Sequence, residues 1–403
     1  MPERRTPLYD FHARSAVALV KGGGDYLLPL AYTSPAEEHI NTRTNVGMQD
    51  LSSMGEVDIK GPGAERLINH LLVNDILDMH PGQVRYSTMV NDQGGIVDDI
   101  TVYKFGEEHF MIVTSSGPRK QTHRWIAEHA RGMGAYVTDL SGAVALISVQ
   151  GPRARDFLLT QVRDADLEHL RFFWFTRGVI GDTELIVSRT GYTGELGYEL
   201  YVPAEEAMGV WERLLAAGRE FGLRPYGVEA MQSLRIEKAF PLYGPDIDTT
   251  RNPFEVGLHR WIRFDKRAFI GREALLRLQE QGLRERWVGL VLESDIPAGR
   301  GDPIYAVADI ETYRRRQAAG PEAGAEVDLE KAGDQVGVVT SSAKGHTVGR
   351  MLALGYVRVS HSWPGARLLV SIAGRPIPAT VTPTPFFDPQ GLRLRARADQ
   401  ARP

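Results

Sequence analysis

Apolar positions along the chain repeat in two registers. Residues 57–60 form a short extended run, and after Pro62 the residues Leu67, Ile68, Leu71 and Leu72 recur at the spacing of one helix face. Residues 100–105 and 110–114 are β-rich runs separated by Gly106-Glu107-Glu108-His109, which predicts a hairpin. The round then begins again. A strand over 144–149 runs into Gln150-Gly151-Pro152 and a helix from Arg153, and further strands are predicted over 183–188 and 198–202. An amphipathic helix over 205–221 carries Met208, Trp211, Leu214 and Leu215 on one side. Strands paired through hairpins, with helices between them, predict an α+β fold rather than a doubly wound parallel sheet. Two similar rounds suggest an internal duplication, giving two α+β subdomains within residues 1–280.

After Glu273 the texture changes. Short strands over 287–293, 336–340, 352–359, 367–373 and 379–382, with Gly and Pro between them, predict a C-terminal β-barrel domain over 281–403. The charged, Ala- and Gly-rich stretch 309–335 reads as an insertion on its surface.

Composition narrows the chemistry. The chain has 403 residues, 42% of them hydrophobic and 24% charged, enough for a substantial core. It has no cysteine, which removes disulfide scaffolds, thiolate zinc sites, cysteine-held iron–sulfur clusters and thiol nucleophiles. A net charge of -4 argues against a nucleic-acid binder, and Arg393, Arg395 and Arg397 near the end read as a solvated tail. No apolar stretch approaches the ~20 residues of a membrane span, and the start lacks a secretion signal, so a soluble cytoplasmic protein is expected.

The familiar site motifs fail on detail. Gly61-Pro62-Gly63 follows a strand and opens a helix, but Arg66 stands where a dinucleotide loop needs a small residue, and Pro62 removes an amide donor. Gly22-Gly23-Gly24 has no lysine and hydroxyl pair behind it and reads as a turn. The eleven histidines show no compact ligand spacing, so no metal is expected, and no nucleophile elbow is present. Two other stretches are richer. In the first, 94–103, Asp98 and Asp99 sit between a Gly turn and a strand, where alternation puts Asp99, Thr101 and Tyr103 on one face and Asp98, Ile100 and Val102 on the other. Capping of a hairpin end is the plainer role for the two acids. In the second, 188–199, a Gly-rich loop holds Arg189, Tyr192, Glu195, Tyr198 and Glu199, a set suited to hydrogen-bonding a flat polar heterocycle.

Here the sequence resembles a family, the glycine-cleavage T-protein (aminomethyltransferase) superfamily, over nearly its whole length. The landmarks run in order: Thr6 to Tyr9, Glu37-Glu38-His39 with Arg43, Gly94 to Asp99, Gln150-Gly151-Pro152, Arg189 to Glu199, Ser233 to Glu237, Leu242 to Ile247, Phe269-Ile270-Gly271, and the barrel segments 338–340 and 353–357. The resemblance implies a duplicated folate-binding α+β body with a C-terminal barrel, and tetrahydrofolate as cofactor. It places Asp99 at the family's catalytic aspartate. Tyr86, Tyr103, Val113, Tyr192 and Glu199 fall at folate-contacting positions, with Glu199 opposite the pterin's amino and ring N–H groups. Trp174, in an aromatic run that is more often core, is a candidate for lining the substrate side.

The activity implied is transfer of a one-carbon unit from a donor to folate N5 or N10. The implied partners are a small methylated or aminomethyl donor, or a lipoylated carrier protein, and neither nucleic acid nor membrane. Departures keep two alternatives open. Met231 stands where the family has a folate-contacting arginine, Phe386 where it has a tyrosine, and Ser52-Ser53-Met54-Gly55 replaces Ser-His-Met-Gly. These changes are similar to paralogues that demethylate free N-, O- or S-methylated compounds. A non-catalytic folate-binding protein is the second alternative, though such relatives carry a cysteine signature this chain lacks.

Overall fold

The computed structural model describes residues 3–307 and 334–396, so the stretch read as a barrel insertion lies almost wholly outside the described residues, as does Arg397. The first sheet has five strands in the order Val84–Val90, Ile96–Gly106, His109–Thr114, Gly55–Lys60 and Tyr136–Asp139. The second has seven: Val162–Arg163, Phe175–Ile180, Thr183–Ser188, Gly197–Pro203, Val144–Gln150, Val46–Asp50 and Leu223–Pro225.

The duplication suggested by the sequence is present in the topology. Gly55–Lys60 leads into helix Ala64–Leu71, then three antiparallel strands, helix Arg119–His129 and Tyr136–Asp139. Val144–Gln150 likewise leads into helix Ala154–Gln161, three main strands, helix Ala207–Ala217 and Leu223–Pro225. Both halves turn from strand to helix through Gly-Pro, with Gly61 at φ 113° and Gly151 at φ 135°, and a Cβ on Gly151 would stand 2.2 Å from Asn45 O. The second sheet has two strands more: Val162–Arg163 at one edge, and Val46–Asp50 inserted between Val144–Gln150 and Leu223–Pro225. The helix expected over 205–221 ends at Ala217 and continues as a 3₁₀ turn to Phe221, because Gly218 packs on Leu223 and Gly222 takes a left-handed conformation.

Strand alternation sorts the side chains. On the outer face of the first sheet Val57, Ile59, Ile100, Val102, Phe110 and Ile112 pack against Leu67, Ile68 and Leu71 of the first helix. The outer face of the second sheet packs Ile147, Val149, Val187, Leu200 and Val202 against Phe157, Leu158, Trp211 and Leu214. The remaining faces carry Val84, Tyr103, Met111 and Val113 from one sheet and Leu146 and Tyr201 from the other, gathered in one inter-sheet cluster. Backbone bonds from Val84 N to Phe173 O and from Phe175 N to Gly82 O, both 2.8 Å, tie the sheet edges together.

The C-terminal strands close a six-stranded barrel in the order Glu285–Leu292, Arg350–Arg358, Gln335–Gly345, Pro303–Ala306, Arg367–Ile372 and Arg375–Thr382, the last pairing back with the first. Its interior is aliphatic, with Leu290, Ile304, Val339, Ala353, Leu368 and Val381 among the buried residues. No helix among the described residues is long and apolar enough to cross a membrane.

Body and barrel meet at buried charges. Arg43 donates from Nη2 and Nε to Glu237 Oε2 (2.9 and 3.2 Å), and from Nη1 to Glu195 Oε1 (3.1 Å) and Thr193 O (2.7 Å). The other oxygen of Glu237 accepts from the amides of Thr347 and Val348 in the barrel loop, at 2.8 and 3.2 Å. Burial alone would raise the Glu237 carboxyl, but hydrogen bonds and charge from His39 and Arg43 outweigh it and hold it at about 2. Burial pushes His39 below its ordinary value against the opposing pull of Glu237, and its ring bonds Ser233 Oγ and Thr347 Oγ1 at 2.6 and 2.7 Å. Removing one member of such a buried pair strands the other charge, a loss of about 3–5 kcal/mol. Arg43→Ala should therefore lower unfolding stability by that order in a urea titration. A loss within ~0.5 kcal/mol, typical of a surface change, would show that Arg43 is not a structural hub.

Candidate active site

Between the sheets, apolar residues give way to polar ones. The inner face of strand Ile96–Gly106 presents Asp99, Thr101 and Tyr103, and pairing sets Tyr86 beside Thr101, Thr101 beside Val113, and Val113 beside Glu56. Across the gap, Gly197–Pro203 presents Glu199 and Tyr201.

Asp99 is half-buried. Tyr86 donates its hydroxyl to Oδ2 at 3.0 Å, and Ser115 Oγ donates to Oδ1 at 3.2 Å. Burial raises the carboxyl to about 6, against the lowering effect of these two donors. Tyr86 is itself pushed well up by burial and by the adjoining Asp99. Tyr192 lies close enough to Asp99 to feel its charge, stacks on Phe240 with centroids 5.8 Å apart, and donates its hydroxyl to Pro241 O at 2.6 Å. The acids do not cap a hairpin. Asp98 points to the opposite face, wholly buried, where Thr122 Oγ1 donates to it at 2.7 Å.

Glu199 occupies a second pole. Thr190 Oγ1 donates to its Oε2, Thr190 bonds Ser188 Oγ at 2.9 Å, and Tyr103 reaches across from the first sheet to Ser188 Oγ (3.2 Å) and to the Tyr201 hydroxyl (2.7 Å). Burial raises the Glu199 carboxyl, and its Oε1 has no hydrogen bond among the described residues. The glycines of its loop fit closely around Gln150: a Cβ on Gly191 would stand 2.0 Å, and one on Gly197 2.2 Å, from that side chain. The Gln150 amide in turn donates to Thr190 O and Tyr198 O.

The structure thus groups Tyr86, Asp99 and Tyr192 at one pole and Glu199 with Tyr103 at the other. Tyr103 is fully buried and Val113 nearly so, both forming the floor between them. Trp174 stands apart: it packs against the helix-side core of the second sheet, with Arg171 over its ring at 5.8 Å. Met231 lies in an apolar cluster with Tyr226, Ala230 and Leu234, and Phe386 packs on Ile236, Leu352 and Leu354. Ser53, in place of the family's histidine, bonds Ser116 Oγ at 2.8 Å.

Sequence reasoning missed Ser115, whose serine-rich surroundings carry no motif, and Glu56. Glu56 is fully buried on the inner face, with no hydrogen-bond partner for either carboxylate oxygen among the described residues. Burial raises it to about 8 despite the nearby Arg119.

A duplicated α+β body followed by a closed six-stranded barrel is the architecture of a glycine-cleavage-type transferase. The family description "GCVT N-terminal domain" matches residues 8–266, and "Glycine cleavage T-protein C-terminal barrel domain" matches 286–388. The chain belongs to the glycine cleavage T-protein family. It is 38% identical to an aminomethyltransferase of Moorella thermoacetica over 95% of its own length and 98% of that protein's, and 35% identical to one from Halothermothrix orenii over 95% and 100%. The crystal structure of glycine cleavage system aminomethyltransferase T from Bartonella henselae superposes with a TM-score of 0.84 at 26% identity, covering 96% of this chain and 99% of that one.

Because Glu56 carries a proton in the folded state up to pH about 8 but ionises near 4.3 when unfolded, its contribution to stability is full below the unfolded value and is lost as pH rises toward the folded one. Glu56→Gln removes that loss. Between pH 5 and pH 8 its stability relative to wild type should rise by up to about 4 kcal/mol. Parallel urea-stability curves for the two proteins would place the ionisation elsewhere.

Proposed function

We propose that this chain transfers a one-carbon unit to tetrahydrofolate held between the two sheets, with Asp99 at the reacting end and Glu199 at the recognition end. The observation that carries this reading is the pairing of a half-buried, proton-poised carboxylate with a second carboxylate that keeps an open oxygen. Asp99 and Tyr103 are four residues apart on one strand, about 13 Å, and Glu199 faces the Tyr103 end. That length suits a pterin with its amino and ring N–H edge on Glu199, since a carboxylate accepts two parallel bonds from such an edge.

N5 and N10 of tetrahydrofolate supply the nucleophiles that take up the one-carbon unit. The chain's own residues do the rest. Tyr86 and Ser115 fix the Asp99 carboxylate, which above pH about 6 is ionised and able to take a proton or to stabilise positive charge at the incoming carbon. Tyr192 and Phe240 offer an aromatic wall beside it. Tyr103 and Val113 back the cleft from within the first sheet, holding the sheets at a fixed spacing rather than presenting free surface. An aminomethyl group on a lipoylated carrier is the donor this reading favours, as for the related aminomethyltransferases. A small methylated compound is the second reading, favoured by Met231, whose thioether fills an apolar cluster where the family has a cation.

Asp99→Asn should reduce turnover by about 10²–10⁴-fold while leaving tetrahydrofolate affinity within a few-fold. Glu199→Ala should do the reverse, weakening binding followed by tryptophan fluorescence more than it slows the bound complex. Wild-type turnover in Asp99→Asn would remove Asp99 from the chemistry. Product from an aminomethylated lipoyl carrier supports the first donor. Methyltetrahydrofolate formed from a small methylated amine, ether or thioether, with none from the carrier, would establish the second.

A further inference from the structure

We infer that Ser115 is a positioning residue for Asp99, and that Asp98 serves as a neutral anchor for Ser115 rather than as a second base. The inference rests on the reading of Asp99 as the proton-handling acid, and it explains why two acids stand side by side.

Ser115 directly follows strand His109–Thr114, next to the strand bearing both acids. It bridges them. Its backbone N–H donates to Asp98 Oδ2 at 3.3 Å, while its Oγ donates to Asp99 Oδ1 at 3.2 Å and lies 3.3 Å from the Asp99 carbonyl oxygen. Two further contacts hold the bridge. Thr122 of helix Arg119–His129 donates to the same Oδ2 of Asp98 at 2.7 Å, and Ser53 holds the neighbouring Ser116. The chain after the strand is thereby fixed from three elements before it reaches Asp99.

The chemistry of Asp98 follows from its surroundings. Its side chain is wholly buried, both donors converge on one oxygen, and Oδ1 has no partner among the described residues. It has no ion pair among the described residues, and the charge of the adjoining Asp99 opposes its ionisation. A carboxylate so placed would leave one charged oxygen unsatisfied against another anion, so the group stays protonated. A neutral acid holds a backbone N–H as well as an amide would. The titratable groups that face Asp99 from the surrounding elements are Tyr86 from its neighbouring strand, Tyr192 from the Gly-rich loop, and Tyr243 and Asp246 from the turn after the helix Val228–Glu237, while Asp98 adjoins it from the opposite face of its own strand. Asp246 is paired with Arg235 at 2.6 Å and the tyrosines are neutral; among the described residues the hydroxyls bonded to the Asp99 carboxyl are those of Tyr86 and Ser115.

The test is a pH profile of kcat for Ser115→Ala, Ser115→Thr, Asp98→Asn and, as reference, Asp99→Asn. Ser115→Ala should move the acid-side midpoint up by about one pH unit, since one donor to the anion is gone, and lower kcat several-fold even at pH 8, with the KM for tetrahydrofolate unchanged. Ser115→Thr keeps the hydroxyl and should restore the wild-type profile. Asp98→Asn, a neutral isostere, should keep both midpoint and kcat near wild type. A Ser115→Ala profile superposable on wild type would overturn the positioning role. A downward shift of the midpoint in Asp98→Asn would show that Asp98 carries charge and would overturn the anchor. If Asp99→Asn turns over normally, the reading of the site falls instead, so the two failures are told apart within one series.

Discussion

Most of this structure hangs on one buried guanidinium. Arg43 leaves the helix Pro35–Thr44, meets Glu237 on a second helix and Glu195 in the Gly-rich loop, and is covered by the ring of Phe387 at 4.4 Å. Arg393, expected in a solvated tail, is instead tied into the body: it donates to the same buried Glu195 at 2.8 and 2.9 Å and to Arg43 O at 2.6 Å. Four separate parts of the chain therefore converge on charges that are nearly inaccessible to water, where a missing partner is far more costly than at the surface. The Gly-rich loop that ends in Glu199 takes its shape from this cluster on one side and from Gln150 on the other. The site loop is thus positioned by the same interactions that dock the barrel.

The second constraint is the polar space between the sheets. Each sheet buries its outer face conventionally against helices, but the inner faces cannot simply collapse on one another where they carry Asp99, Glu199, Glu56 and several tyrosines. The tyrosines reconcile the two demands. Tyr103 brings an apolar ring to the inter-sheet core and a hydroxyl to Tyr201 and Ser188, so that the layers are joined by hydrogen bonds rather than by aliphatic packing alone. Burial lifts the carboxylates, Glu56 even against the nearby Arg119, and lifts Asp99 only to about 6 because two hydroxyls serve its anion. An acid poised near neutral pH is what proton transfer at a bound nucleophile requires.

Much of this was legible in the sequence, for reasons that are physical. The outer faces announce themselves: Leu67, Ile68 and Leu71, or Met208, Trp211 and Leu214, recur at helical spacing because they bury against a sheet. The Gly-Pro turns repeat because both halves need the same sharp strand-to-helix reversal. The alternation across Asp98 and Asp99 gave their opposite faces correctly, but a local pattern reports only that two neighbours diverge, so hairpin capping was the wrong role for them. Ser115 was invisible because a serine after a strand is unremarkable until a second strand brings an acid to it. Glu56 was invisible for the converse reason: alternating with Val57 and Ile59 beside Asp58 and Lys60, it looks like one more solvent-facing position, and only the facing sheet makes it buried. The aromatic run around Trp174 shows the limit of composition, since one of its members, Phe175, joins the inter-sheet core while Trp174 packs on the outer side.

Placement of the one-carbon acceptor between the sheets, reacting end toward Asp99, is tested most directly by a crystal structure of the protein soaked with tetrahydrofolate. The pterin should lie between the two sheets, its amino edge on Glu199 and N5 or N10 within hydrogen-bond reach of Asp99. Density for the pterin elsewhere, for example in the cleft of about 430 Å³ lined by His70, His129 and Arg267, with the inter-sheet space empty, would contradict it.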